Sequence, residues 1–114
     1  MSDVLSQLTE ILENRKSAEA SESYVASLHE QGLNKILEKV GEESTEVILA
    51  AKDANVTGDK SALLAETADL WFHCMVMLSH LDVNADQVLE ILRDRFDISG
   101  LEEKASRNNT NSST

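Results

Sequence analysis

Apolar residues recur every three or four positions through most of this chain, and this is the spacing of one face of an α-helix. The pattern predicts a first helix that begins near Asp3, with Ser2 as its N-cap. A small, polar stretch at residues 17–23 interrupts the pattern and predicts a loop. The residues expected to face the core from this helix are Val4, Leu5, Leu8, Ile11 and Leu12.

The rest of the pattern predicts one short helical turn and three longer helices. The short turn begins at Tyr24 and ends at Gly32. A turn at residues 55–59 separates the first two long helices. The predicted bounds of these two helices are about 33–54 and about 60–81.

Two features indicate how the later helices pack. The helix at 60–81 is apolar on nearly all sides after Ala68, which predicts a central position. Asn84 and Gln87 have the spacing of a capping box, so the last helix should begin there. The residues expected to face inward from this last helix are Val88, Leu89, Ile91, Leu92 and Phe96.

Composition and charge narrow the class of protein. The 114 residues are enough for one domain, and the absence of proline with only four glycines favours an all-α fold. A net charge of -11 argues against nucleic acid as a partner, because phosphate backbones bind basic surfaces. The single cysteine, Cys74, excludes an internal disulfide and suits the cytoplasm. Neither a secretory signal nor a membrane span is expected.

Two acidic clusters interrupt the apolar pattern of the long helices: Glu42, Glu43 and Glu46 in one helix, Glu66 and Asp69 in the next. Consecutive antiparallel helices can bring such clusters face to face. Crowded, partly desolvated carboxylates repel one another and take up protons. Mg²⁺ prefers carboxylate oxygens and leaves coordination sites open for water and substrate phosphates. The pattern therefore predicts metal-assisted phosphate chemistry.

Each of these residues also has a purely structural interpretation. The glutamates can form a solvated helix face, and Lys35 and Lys39 can simply pair with them. Glu66 and Asp69 are flanked by apolar residues, which favours metal ligation at that cluster. His73, one turn after Asp69, is interpreted as a hydrogen-bonded core histidine.

Longer strings around the clusters resemble a known enzyme family. Glu42–Glu43–x–x–Glu46 and Glu66–x–x–Asp69 resemble the signature of the all-α nucleoside triphosphate pyrophosphohydrolases. The strings at 23–43, 66–73 and 99–104 are similar, more specifically, to phosphoribosyl-ATP pyrophosphohydrolase of histidine biosynthesis. The resemblance covers about residues 4–107 of the chain.

This resemblance implies a fold, an activity and an assembly. The fold would be a four- to five-helix bundle of the all-α pyrophosphohydrolase type, assembled as a homodimer or a dimer of dimers. The reaction would be the Mg²⁺-dependent hydrolysis of 1-(5-phosphoribosyl)-ATP to 1-(5-phosphoribosyl)-AMP and pyrophosphate, in the cytoplasm. Residues 1–107 would form the domain, and the Asn/Ser/Thr-rich residues 108–114 are predicted to be a polar, disordered tail.

The resemblance also implies roles for individual residues. Glu42 would contact a second ion or orient the attacking water, and it would be catalytic together with Glu43 and Glu46. The expected Mg²⁺ ligands are Glu43, Glu46, Glu66 and Asp69. The expected substrate-binding residues are Lys35, Lys39, Tyr24, Lys104 and Arg107. A charged C-terminal segment without contact to substrate remains an equal interpretation of the last two.

Two other functions stay open at the level of sequence. One is a pyrophosphohydrolase of the same superfamily that acts on dUTP, dCTP or damaged nucleotides. The other is a non-enzymatic acidic helical module that dimerises or mimics nucleic acid. A carboxylate-bridged di-iron bundle is disfavoured, because it needs Glu-x-x-His pairs where this chain has Glu66-x-x-Asp69.

Overall fold

The structure, a computed structural model, describes residues 3–97 of the chain. These residues form five α-helices and no strand. The predictions made for Ser2, the 99–104 string, Lys104, Arg107 and the tail lie outside the described residues. The helices are α1 Asp3–Arg15, α2 Tyr24–Gln31, α3 Leu33–Thr57, α4 Ser61–His80 and α5 Ala85–Phe96. The predicted all-α fold is confirmed.

Local side-chain chemistry explains where two of these helices, α2 and α5, begin. The Ser23 hydroxyl accepts a hydrogen bond from the Ala26 N–H at 3.1 Å and so caps α2. At α5 the predicted capping box is present. The Gln87 N–H donates to the Asn84 side chain at 3.2 Å, and the Asn84 N–H donates to the Gln87 side chain at 3.0 Å.

The end of α3 differs from the prediction. This helix continues through Asn55, Val56 and Thr57, which were expected in a turn. It ends where Gly58 takes a left-handed conformation (φ 82°) and donates its N–H to the Ala54 carbonyl at 2.8 Å. None of residues 55–57 is a glycine that takes this conformation as easily as Gly58, so weak helix formers alone did not stop the helix.

The core lies at one end of the α3–α4 hairpin, where α1, α2 and the start of α5 pack against it. The largest fully buried side chains are Leu12, Leu28, Ile36 and Val76. Among the described helices, none packs extensively against the opposite half of the hairpin. The molecule therefore measures 55 × 39 × 20 Å with a radius of gyration of 17.6 Å, whereas a compact domain of about 100 residues has about 13 Å.

Several apolar residues expected in the core are exposed instead. On α1 these are Val4 and Ile11, and on α4, which was predicted to be central because it is apolar after Ala68, Trp71 is exposed. On α5 the prediction of an inward stripe is wrong for Val88, Ile91, Leu92 and Phe96. Helical periodicity identifies an apolar face, but it does not identify what that face packs against.

None of the five described helices combines the length and the hydrophobicity of a membrane-spanning helix.

The core position of Ile36 gives a stability prediction. Ile36→Ala should lower the free energy of unfolding by about 2–5 kcal/mol, because the side chain is completely buried and a cavity would remain. Val56→Ala, on the same helix but with 84% of its surface exposed, should change it by less than about 0.5 kcal/mol. Urea unfolding of both variants checks this; equal losses would contradict the placement of the core.

Candidate active site

Three glutamates converge on the middle of the α3–α4 hairpin. Glu43 and Glu46 are one turn apart on α3, and Glu66 lies opposite them on α4. One carboxylate oxygen from each residue lies within 4.8 Å of the others. Glu43 is 7% exposed, Glu66 is half-buried and Glu46 is exposed, so the group reaches from the hairpin interior to solvent.

The surroundings of this acidic trio (Glu43, Glu46 and Glu66) do not neutralise its negative charge. One buried oxygen of Glu43 and one of Glu66 have no hydrogen-bond partner among the described residues. The pKa of Glu66 is raised, first because a proton shared with Glu46 would join the two carboxyl groups by a hydrogen bond. Desolvation and the charges of Glu46, Glu43 and Asp69 raise that pKa further. A divalent cation would satisfy the free oxygens and remove the repulsion, so the trio fits Mg²⁺.

Two turns after Glu66 on α4, His73 forms a hydrogen-bonded chain with Tyr24 of α2. The Tyr24 hydroxyl lies 2.8 Å from His73 Nε2, and His73 Nδ1 lies 2.9 Å from the Asp69 carbonyl oxygen. His73 is buried, as expected for a hydrogen-bonded core histidine. The Tyr24 ring is half exposed and stacks on Phe72 with centroids 6.3 Å apart. The family resemblance implied that Tyr24 binds substrate, but its contact with His73 was not predicted, because nothing in the sequence pairs residues 49 positions apart.

Comparison with known families decides the class of this site. The sequence model described as phosphoribosyl-ATP pyrophosphohydrolase matches residues 5–96, which is most of the chain. The chain belongs to the phosphoribosyl-ATP pyrophosphohydrolase family. It is therefore a hydrolase of a family that acts in histidine biosynthesis. The matched segment contains the acidic trio, Tyr24 and His73 and ends before Lys104 and Arg107.

The two other acidic residues predicted for this family's site lie outside the trio. Asp69 is exposed one turn after Glu66, close enough for its charge to raise the pKa of Glu66. Glu42 is exposed and accepts a hydrogen bond from the Lys39 ammonium at 3.2 Å. Their predicted roles as fourth metal ligand and water-orienting residue stay predictions.

The two lysines predicted to contact phosphate lie on the same helix as the trio, and each pairs with a glutamate. Lys35 lies 3.4 Å from Glu38, and Lys39 lies 3.2 Å from Glu42. The pKa of Lys39 is raised, mainly by this hydrogen bond to Glu42 and then by nearby Tyr24. Exposed ion pairs of this kind contribute only about 0–1 kcal/mol, so a substrate phosphate can replace the glutamates.

A second histidine contact, far from the trio, makes the fold sensitive to pH. The Nδ1 atoms of His29 and His80, at the ends of α2 and α4, lie 2.9 Å apart, and sequence reasoning assigned neither residue a role. One hydrogen atom joins them, so the contact requires that the rings are not both protonated. Burial lowers the pKa of His29, and the charges of His80 and Lys16 lower it further, while Glu13 opposes this effect.

The lowered pKa of His29 predicts acid sensitivity. The unfolded chain binds a proton at the ordinary value near 6.5 while the folded chain does not, so stability is complete above this pH and falls below it. The raised pKa of Glu66 acts in the opposite direction, so the effect of His29 is measured as a difference: from pH 7.5 to 5.5 the free energy of unfolding of the unmodified protein should decrease relative to that of His29→Gln. Urea unfolding at both pH values measures this, and an unchanged slope in the variant would contradict it.

Proposed function

We propose that this protein catalyses the Mg²⁺-dependent hydrolysis of 1-(5-phosphoribosyl)-ATP to 1-(5-phosphoribosyl)-AMP and pyrophosphate, the second step of histidine biosynthesis, in the cytoplasm. The acidic trio carries this proposal, because two of its buried oxygens have no hydrogen-bond partner among the described residues and a divalent cation would satisfy them in a hydrolase of this family. The net charge of -11 agrees with a requirement for Mg²⁺, because the chain would repel an anionic substrate whose phosphates were not neutralised by a cation.

Different residues of the chain have different roles in the proposed reaction. Glu43, Glu46 and Glu66 would hold Mg²⁺, with Asp69 as the fourth ligand. When bound, Mg²⁺ neutralises charge on the phosphates during in-line attack by water. Glu42 orients the attacking water, and because its ion pair with Lys39 is exposed and weak, Lys39 remains available to a phosphate. Lys35 and Lys39 contact phosphates, Tyr24 contacts the nucleotide, and Lys104 and Arg107 are proposed as further phosphate contacts.

We further propose that the active form is a homodimer or a dimer of dimers. The exposed apolar residues of α3, α4 and α5 support this assembly. The half of the hairpin that carries Ile48, Leu49 and Leu64 is beside the trio, since these residues lie within three positions of Glu46 or Glu66. A second protomer on that half would cover apolar surface and close one side of the site.

Pyrophosphate release tests the proposed reaction. We expect release from phosphoribosyl-ATP with Mg²⁺ and none after chelation, and much slower release from dUTP or dCTP. Faster hydrolysis of those nucleotides would favour a different pyrophosphohydrolase of the superfamily. Absence of release from all of them, with no shift of the melting temperature by Mg²⁺, would favour a non-enzymatic module.

A further inference from the structure

The hydrogen bonds of His73 determine which atom carries the proton between His73 and Tyr24. The Asp69 carbonyl can only accept, so His73 must donate to it from Nδ1. In the neutral imidazole the other nitrogen, Nε2, is then an acceptor. The Tyr24 hydroxyl therefore donates its single proton to Nε2, at 2.8 Å. Only lone pairs remain on the Tyr24 oxygen for any further partner.

Tyr24 lies where a bound nucleotide could reach it. Half of its surface is exposed although its ring is held by stacking on Phe72 and by an edge contact with His73. Its hydroxyl lies 2.8 Å from Nε2 of His73, and His73 follows Glu66 by two turns and Asp69 by one turn on the same helix, α4. Tyr24 is thus held by contacts to the helix that carries Glu66 and Asp69, and the orientations of its ring and of its hydroxyl proton are both fixed.

We propose that the Tyr24 oxygen accepts a hydrogen bond from a donor group of the nucleotide, a sugar hydroxyl or an amino group, and that His73 is the positioning residue that sets this polarity. This inference rests on the proposed function. Ionised phosphate oxygens are acceptors and cannot pair with an oxygen whose proton is committed to His73. Tyr24 consequently recognises the nucleoside part of the substrate, while the lysines and the metal are left to bind phosphate.

The first test separates binding from chemistry. Tyr24→Phe keeps the ring and its stacking on Phe72 and removes only the oxygen. We expect KM for phosphoribosyl-ATP to rise about fivefold to tenfold with kcat nearly unchanged, because this hydrogen bond is made equally in the ground state and the transition state. An unchanged KM, or a loss confined to kcat, would overturn the proposal.

The second test asks whether His73 acts through Tyr24. His73→Phe keeps a planar ring at this position and removes both ring nitrogens. Alone it should raise KM, but in the Tyr24→Phe background it should change KM no further, because the oxygen that it orients is already absent. Additive effects of the two substitutions would show that His73 has only a structural role and would overturn this part of the proposal.

A third measurement does not depend on activity or on the folding of a variant. Nitrogen-15 NMR of the unmodified protein near pH 8 should show His73 protonated at Nδ1 and unprotonated at Nε2. A proton on Nε2 would overturn the proposal whatever the kinetics show. Pyrophosphate release by the unmodified protein is measured first, so a wrong substrate appears as inactivity of that protein and is not confused with an effect of Tyr24.

Discussion

Glu46→Gln should lower pyrophosphate release by about a hundredfold or more, because it removes a charged ligand from the proposed Mg²⁺ site. The same substitution should not destabilise the metal-free protein. Glu46 is the largest influence on the raised pKa of Glu66, and an uncharged amide can donate a hydrogen bond to that carboxylate in place of repelling it. The increase in melting temperature on adding Mg²⁺, expected for the unmodified protein by preferential binding to the folded state, should shrink or vanish in the variant.

A matched control separates this site effect from a general effect of charge. Asp53→Asn makes the same change of charge at an exposed position on the same helix, away from the trio. It should retain both pyrophosphate release and the Mg²⁺-dependent increase in melting temperature. Two results for Glu46→Gln would count against the metal site: full activity, or unfolding in the absence of metal.

The double substitution Ile48→Asp and Leu64→Asp should convert the proposed dimer to a monomer and reduce activity. These side chains are 62% and 70% exposed in the single chain. They lie at the same level of the hairpin, two residues from Glu46 and Glu66. In an isolated chain such surface changes alter stability by only about 0.5 kcal/mol each. In a dimer they would bury two uncompensated charges per protomer, which costs several kcal/mol.

Analytical ultracentrifugation measures the mass, and the same samples are assayed for pyrophosphate release. Asn34→Asp adds an aspartate at an exposed polar position at the other end of α3, far from Ile48, and should leave the mass unchanged. A double variant that keeps the mass of the unmodified protein would show that the hairpin is not the interface. Val88, Ile91 and Phe96 of α5 would then be the next surface to substitute.

Local patterns in the sequence were sufficient for the elements of this fold and for part of its site. The capping box at Asn84 and Gln87 is a short-range structure, and it was predicted correctly. The acidic residues were predicted to meet because they lie on consecutive helices, and the structure brings Glu43, Glu46 and Glu66 together. The end of α3 was predicted incorrectly, since it depended on which residue could take a left-handed conformation.

Contacts between distant parts of the chain could not be predicted from local patterns. The apolar stripe of α5 was read correctly as a stripe, but most of it faces away from the core of the single chain. The contacts between Tyr24 and His73 and between His29 and His80 join residues 49 and 51 positions apart. No periodicity or spacing relates such residues, because their meeting results from how α2 packs on the hairpin.

The sequence by itself determined that the protein is helical, which helices carry carboxylates and which family it resembles, because these properties depend on residues within one or two helical turns. Only the tertiary structure decided which carboxylate oxygens lie close together, which of them find no partner within residues 3–97, and that the Tyr24 hydroxyl meets His73. These depend on distances of a few ångströms between separate helices, and such distances are set by packing of the whole chain.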